Sequence, residues 1–267
     1  NGMGCIFGSL LGGIYCFSND DPNISVPYVI IGIVVLFVAV LFSRVKLPEF
    51  VMEEKEGDNG AVHQSQSLLR HPMFLFGLFA LFCYEVAEIA INSFFINYAT
   101  ENHMAEWINS FIVNVFGVTL NHNFISSIVL SVGLFLFMCG RFIGSSIMRF
   151  VRAEVILLCC AIATVLMTTL VVLNIHIVSF VASVLIFLFE SIMFPTIFAL
   201  SLKGLKGLTQ KASAILMMTP IGGAVGTLLM GMAADYRDMT FSFFVPLVPF
   251  VVILCYSLII IKKRVKI

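Results

Sequence analysis

Charge is scarce in this chain: Asp, Glu, Lys and Arg together make up 11% of 267 residues, and fifteen basic groups cancel fifteen acidic ones. With no basic surface there is nothing to attract nucleic acid. Cysteine is present seven times, at 5, 16, 83, 139, 159, 160 and 255, but never with Cys-x-x-Cys spacing and always inside apolar runs. Neither a disulfide framework nor a zinc site is indicated, and small apolar packing is the role left to them. The five histidines, at 63, 71, 103, 122 and 176, fall in loops or at the ends of apolar runs, so a histidine proton relay within a membrane is not supported. There is no Gly-x-x-x-x-Gly-Lys-[Ser/Thr] phosphate loop, no His-Glu-x-x-His and no nucleophile elbow. Nothing therefore points to ATP-driven work, hydrolytic chemistry, a metal or any cofactor. Asn23-Ile24-Ser25 is a glycosylation tripeptide, but one common by chance.

What the chain has in abundance is hydrocarbon. Sixty per cent of the residues are hydrophobic, 27 are Phe, and mean hydropathy is +1.06, well above the range of water-soluble domains. The fold class is accordingly an all-α polytopic membrane protein whose first partner is the lipid bilayer. The chain opens on Asn1-Gly2 inside an apolar run, without an initiator Met or a charged flank, which reads as a piece of a longer protein rather than a signal peptide.

Runs of about 20 apolar residues cross a hydrocarbon core of roughly 30 Å. Residues 1 to 17 read as the end of one span, with Gly4, Gly8 and Gly12 on one face where another helix could approach closely. A polar loop at 18 to 27 leads to a second span over 28 to 42. Residues 43 to 72 are charged and broken by Gly57 and Gly60, the one linker-like stretch, and the domain boundary falls there. Six further spans lie beyond it, near 73–98, 124–146, 153–174, 177–202, 212–234 and 241–261. Between the first two, Trp107, Ile108, Phe111, Ile112, Val115 and Phe116 keep a helical rhythm. That stretch is either a short interfacial helix or an extension of the neighbouring span.

Cytoplasmic loops accumulate Lys and Arg. On this span count fourteen of the fifteen basic residues, from Arg44 through Arg141, Arg149 and Arg152 to Lys266, share the side of the C-terminal tail, and only Arg237 lies opposite. The linker and the C-terminus are thus expected in the cytoplasm, in a multi-pass plasma-membrane protein of the bacterial inner-membrane kind.

The run 73 to 98 carries two carboxylates near its middle. At 100° per residue Glu85, Glu88 and Asn92 fall within a stripe of about 60°, while Phe, Leu, Ile and Ala fill most of the rest. A charged side chain at the bilayer centre costs about 2.5–3.5 kcal/mol on insertion scales, so two of them imply a use or an aqueous cavity. Glu190 sits five residues before Pro195, which removes a helix hydrogen bond and crowds the preceding turn; a kink beside a buried carboxylate suits a cavity-lining helix.

The stretch Phe82-Cys83-Tyr84, with Glu88, Ser93 and Asn97-Tyr98, resembles the seventh helix of the L-fucose permease type of sugar/proton symporter, within the major facilitator superfamily. Gly140-Arg141-Phe142-Ile143-Gly144-Ser145 resembles that group's signature at the end of helix eight. Ser191 to Leu200, then Lys203-Gly204-Leu205, Ser213 and Gly222-Gly223-Ala224, resemble its tenth and eleventh helices in order and spacing. The resemblance covers essentially the whole chain and implies a twelve-helix carrier of two six-helix halves. Residues 1–42 would be the end of the N-terminal half (part of helix five, and helix six), 43–72 the cytoplasmic linker, and 73–267 the C-terminal half. Helices seven and ten line the cavity in that fold, and they carry Glu85, Glu88 and Glu190. The acidic groups thought to take the proton in the fucose permease lie in the half missing here, so this chain alone would not transport.

The activity so implied is alternating-access transport of a small sugar of the fucose, galactose or glucose class, with a proton as the coupling ion, by a monomer and not an enzyme. A permease for another small polar solute, or a non-transporting sugar sensor on the same scaffold, remains the alternative. Substrate-binding candidates are Tyr84, Glu88, Asn92 and Glu190. Glu88 and Asn92 either hold sugar hydroxyls or tie helices together; Tyr84 either stacks on a sugar ring or packs. Glu85 stands where the family pattern has a small or apolar residue, and is either a proton-sensitive cavity carboxylate or a helix-interface group. Glu190, where an uncharged polar residue is usual, either tunes substrate and pH response or makes a structural bond. Arg141 is either a conformational latch toward Glu154 or the other half, or a topology signal alone. Pro195 is the helix-kink residue.

Overall fold

The structure, a computed structural model, describes residues 2–17, 25–44, 71–102, 106, 108–110, 113, 114, 121–205 and 208–265. The loop at 18–27 and the linker at 43–72 lie almost wholly outside the described residues, as do Trp107, Phe111, Ile112, Val115 and Phe116. The long elements are α1 (Gly2–Phe17), α2 (Ser25–Arg44), α3 (Pro72–Glu101), α4 (His122–Ile147) and α5 (Ala153–Val172). They continue as α6 (His176–Glu190), α7 (Met193–Leu202), α8 (Thr209–Leu216), α9 (Ile221–Tyr236), α10 (Met239–Ser242) and α11 (Phe244–Val265). Among the described residues six stretches between Pro72 and Lys262 are long and apolar enough to cross a membrane, as the hydrophobic runs led one to expect.

Three of the six are interrupted, and proline explains where. Pro195, in the first turn of α7, has no N–H for the carbonyl four residues back, and the chain departs from helix at Ser191 and Ile192. The fifth run, expected as one helix over 212–234, is α8 and α9 separated by a turn at Met217–Pro220. Pro220 cannot donate to Leu216, and the Thr219 hydroxyl does so instead at 2.8 Å. Pro246 stands in the same relation to the step between α10 and α11.

The polarity of the bundle is inverted relative to a water-soluble protein. Large apolar side chains such as Phe142, Phe150, Leu228 and Ile177 are exposed, whereas Ser126, Ser127, Thr164, Ser183 and Ser201 are buried. This is what a lipid solvent selects. Most of these hydroxyls donate to a carbonyl of their own helix three or four residues back: Ser127 to Asn123 at 2.9 Å, Thr164 to Cys160 at 3.1 Å, Ser201 to Ile197 at 2.7 Å.

α3 is the central helix, packed against α4, α7, α9, α10 and α11. Glycine sets its closest approach. A side chain at Gly226 of α9 would run into the Val86 carbonyl, one at Gly222 would stand 2.7 Å from the Phe82 carbonyl, and one at Gly223 would strike Ile89. The glycine-rich start of α9 therefore does bring helices together, as its spacing implied. Gly4, Gly8 and Gly12 do not do so among the described residues. Nothing lies within 4 Å of the Cβ positions they lack, and α1 meets α4 through other residues, including a short hydroxyl contact between Ser9 and Ser131.

Candidate functional site

Where α6 breaks, its last carbonyl needs a donor, and a neighbouring helix supplies one. The fully buried Tyr84 of α3 donates its hydroxyl to the Glu190 carbonyl oxygen at 3.1 Å, and its ring lies 6.0 Å from that of Phe194 just beyond the break. Gly140 makes this possible from a third side. Its missing side chain leaves room for the Ser191 hydroxyl and for the Leu188 carbonyl, 2.7 Å from where a Cβ would stand. Ser191 in turn donates to Leu188 at 2.7 Å. The irregular backbone is thus satisfied inside the bundle, the condition under which a membrane tolerates it.

The side chains around the break are the polar ones singled out in the sequence. Glu190 is fully buried, and neither of its carboxylate oxygens has a hydrogen-bond partner among the described residues. Glu88, one helical turn from Tyr84, is half-buried and within electrostatic reach of Tyr84, Glu190 and Arg141. Glu85 is buried to 7% exposure and feels Glu88. Asn92, a turn further along the stripe, is half-buried, and its Oδ1 has no partner among the described residues. One cluster therefore gathers Tyr84, Glu85, Glu88, Glu190 and Arg141, with Asn92 above it on α3.

Arg141 reads from the sequence either as a conformational latch or as a topology signal alone. Arg141 is exposed, and its guanidinium lies over the Phe137 ring, 4.6 Å from the centroid, in a cation–π arrangement, with Glu88 and Tyr84 within electrostatic reach. The Phe137/Arg141 spacing of four was a signal the sequence offered and the topology reading passed over. Arg141 also lines a cavity of about 290 Å³ with Ser145, Met148, Ile192, Phe194 and Pro195. Pro195 is exposed there, while Glu154, the latch partner considered for Arg141, is bonded to Lys203 at 3.3 Å. No group of three or more His, Cys, Asp or Glu side chains suited to a metal occurs among the described residues.

A bundle with six helical stretches of membrane-crossing length among the described residues, a broken helix and a buried carboxylate cluster beside the break is the construction of a multi-pass carrier. The family model described as the Major Facilitator Superfamily matches residues 1–219, and the chain belongs to that superfamily. A putative glucose/galactose transporter of Helicobacter pylori is 27% identical over 97% of this chain and 63% of its own length. The L-fucose-proton symporter of Escherichia coli is 29% identical over 91% of this chain and 51% of its own. A crystal structure of the Escherichia coli fucose:proton symporter, in a single-substitution form, superposes with a TM-score of 0.66 at 26% identity, covering 88% of this chain and 54% of that one. A second, in the outward conformation, gives 0.64 at 25% identity over the same shares. The resemblance to the L-fucose permease group holds, and the chain spans between about half and two thirds of the length of these relatives.

Proposed function

We propose that this chain is the C-terminal six-helix half, with helix six and part of helix five, of a transporter that carries a small neutral sugar of the glucose, galactose or fucose class together with a proton by alternating access. The observation that carries the reading is the acceptor-rich cluster on the central helix and at the break facing it. Glu88 and Asn92 offer oxygens to sugar hydroxyls that would otherwise lose hydrogen bonds on leaving water. The relatives named for glucose/galactose and for L-fucose with a proton support the substrate class and the coupling ion.

In this reading Tyr84 acts from behind the site. It is fully buried and its hydroxyl is engaged, so it holds the broken helix in place rather than stacking on a sugar. Arg141 faces the cavity as a counter-charge. Pro195 keeps the tenth helix from healing. Residues 1–42 belong to the preceding half, 43–72 to the connecting segment, and 73–267 form the half described. The protein works as a monomer in the bacterial inner membrane with linker and C-terminus in the cytoplasm, as the basic residues argue.

The test uses the full-length transporter in de-energised, weakly buffered vesicles, with external pH recorded while fucose, galactose and glucose are added in turn. An alkaline transient with one sugar, abolished in Glu88→Gln, is the expected result. Sugar entry with no proton movement would remove the coupling claim. No entry of any sugar under any gradient would overturn the substrate class in favour of another polar solute or a sensor.

A further inference from the structure

Glu88 and Glu190 have opposite surroundings. Glu88 is half-buried and has both a hydroxyl, from Tyr84, and a cation, Arg141, within reach. Glu190 is sealed at the break, with both carboxylate oxygens unpartnered among the described residues and Glu88 within electrostatic reach. The Tyr84 hydroxyl donates to the backbone carbonyl of Glu190 and not to its carboxylate.

We propose that Glu190 and Glu88 together form a proton site inside the C-terminal half, the proton residing on Glu190 while Glu88 keeps the negative charge that Arg141 balances. The inference rests on the symport reading above and specifies where its ion is carried. The family resemblance looks for the proton in the other half.

A buried carboxylate without a donor or a cation is far less stable than its neutral acid, whereas a carboxylate with a guanidinium within reach keeps a counter-charge. Two like charges in one low-dielectric pocket resist each other, so a single shared proton satisfies the pair, and the pair titrates as a unit. Loading forms one O–H bond on a Glu190 oxygen with a proton taken from water on one side of the membrane. The O–H bond of the donating hydronium breaks as that bond forms, and release passes the proton back to a water molecule on the other side, regenerating hydronium and the Glu190 carboxylate. The groups facing the site are Tyr84, Glu85 and Glu88 from α3 and Arg141 from α4. Of the other helices packed on α6, α5 brings Cys159, Cys160 and Glu154, the last bonded to Lys203, and α7 brings no titratable side chain. Because the site sits at the break between α6 and α7, filling or emptying it acts on the irregular segment that joins them.

Two readouts on the full-length protein test this. Infrared difference spectra of purified transporter, recorded between acid and alkaline pH, should contain a carboxylic-acid C=O band that disappears in Glu190→Gln. In vesicles, the number of protons moved per sugar should fall to zero in Glu190→Gln whatever the sugar flux, and Glu190→Asp, which keeps a carboxyl group, should restore proton movement. Glu190→Gln preserves shape, and its thermal unfolding should stay near wild type. A band unchanged in Glu190→Gln, or undiminished protons per sugar, overturns the proposal. If the wild type moves no sugar, the symport reading fails while the infrared band still decides whether Glu190 holds a titratable proton.

Discussion

Replacing Gly226 by alanine puts one methyl group where α9 and α3 are closest. The new Cβ would collide with the Val86 carbonyl oxygen and stand 2.9 Å and 3.0 Å from the Val86 carbonyl carbon and Cα. Those are backbone atoms in a helix interior and cannot turn aside, so the two helices must separate by about 0.5–1 Å. Such a gap forfeits a quarter to a half of each dispersion contact of about 0.1–0.2 kcal/mol. Over a few tens of atom pairs along this interface the loss is on the order of 1–2 kcal/mol, within the usual range of about 1–3 kcal/mol for overpacking. Gly231 is an internal control on the same two helices, since a Cβ there meets only the far end of the Phe94 ring at 3.3 Å, and that ring can shift. The assay is thermal unfolding of the full-length protein in detergent, followed by a thiol-reactive fluorophore that reaches the buried Cys83 and Cys160 only on opening. Gly226→Ala should unfold several degrees below wild type, at roughly 2–4 °C per kcal/mol, and Gly231→Ala close to it. Equal midpoints for the two variants would refute the claim that backbone contact at Gly226 sets the packing of α3 on α9.

Two smaller perturbations probe other joints. Tyr84→Phe removes the donor to the Glu190 carbonyl and leaves a buried acceptor at the helix break. By the same thermal assay it should lose about 0.6–1.7 kcal/mol, the range found for polar contacts within membranes, and an unchanged midpoint would mean the bond is not formed. Lys203→Ala breaks the pair with Glu154, but the lysine is 59% exposed. A loss of about 0.2–1 kcal/mol that shrinks with added salt is expected, and a salt-independent loss would argue for a packing role of the lysine stem.

The crossings were legible in the sequence because lipid leaves hydropathy as a nearly sufficient signal: the runs at 73–98 and 124–146 became α3 and α4 with small extensions at their ends. The interruptions were less so. Pro195 announced the break in the fourth run, but Pro220 sat inside an apolar window and was absorbed into it, since hydropathy does not register a missing N–H. For the site, the stripe of Glu85, Glu88 and Asn92 could be placed on one face from helical geometry alone. That Glu190 comes within electrostatic reach of Glu88 depends on tertiary packing, which no local pattern encodes. Arg141 near the end of a span reads as a latch or an orientation signal, and its packing over Phe137, four residues earlier on the same helix, is a contact that helical spacing allows but hydropathy does not register. The periodic glycines of α1 looked like those of α9. Only the second set meets a partner helix within the described residues.

The self-bonded hydroxyls bear on the speed of any rearrangement. Where a hydroxyl joins two helices directly, as Tyr84 does in donating to the Glu190 carbonyl, sliding one past the other strips a donor bare in hydrocarbon before a new partner arrives. Where it donates to its own turn, as Ser127, Thr164 and Ser201 do, its proton stays satisfied at every stage of the movement and only a spare lone pair changes neighbours. Helices lined this way can shear against one another over a lower and smoother barrier, like surfaces that carry their own lubricant, and turnover is then limited by the few contacts that truly bridge.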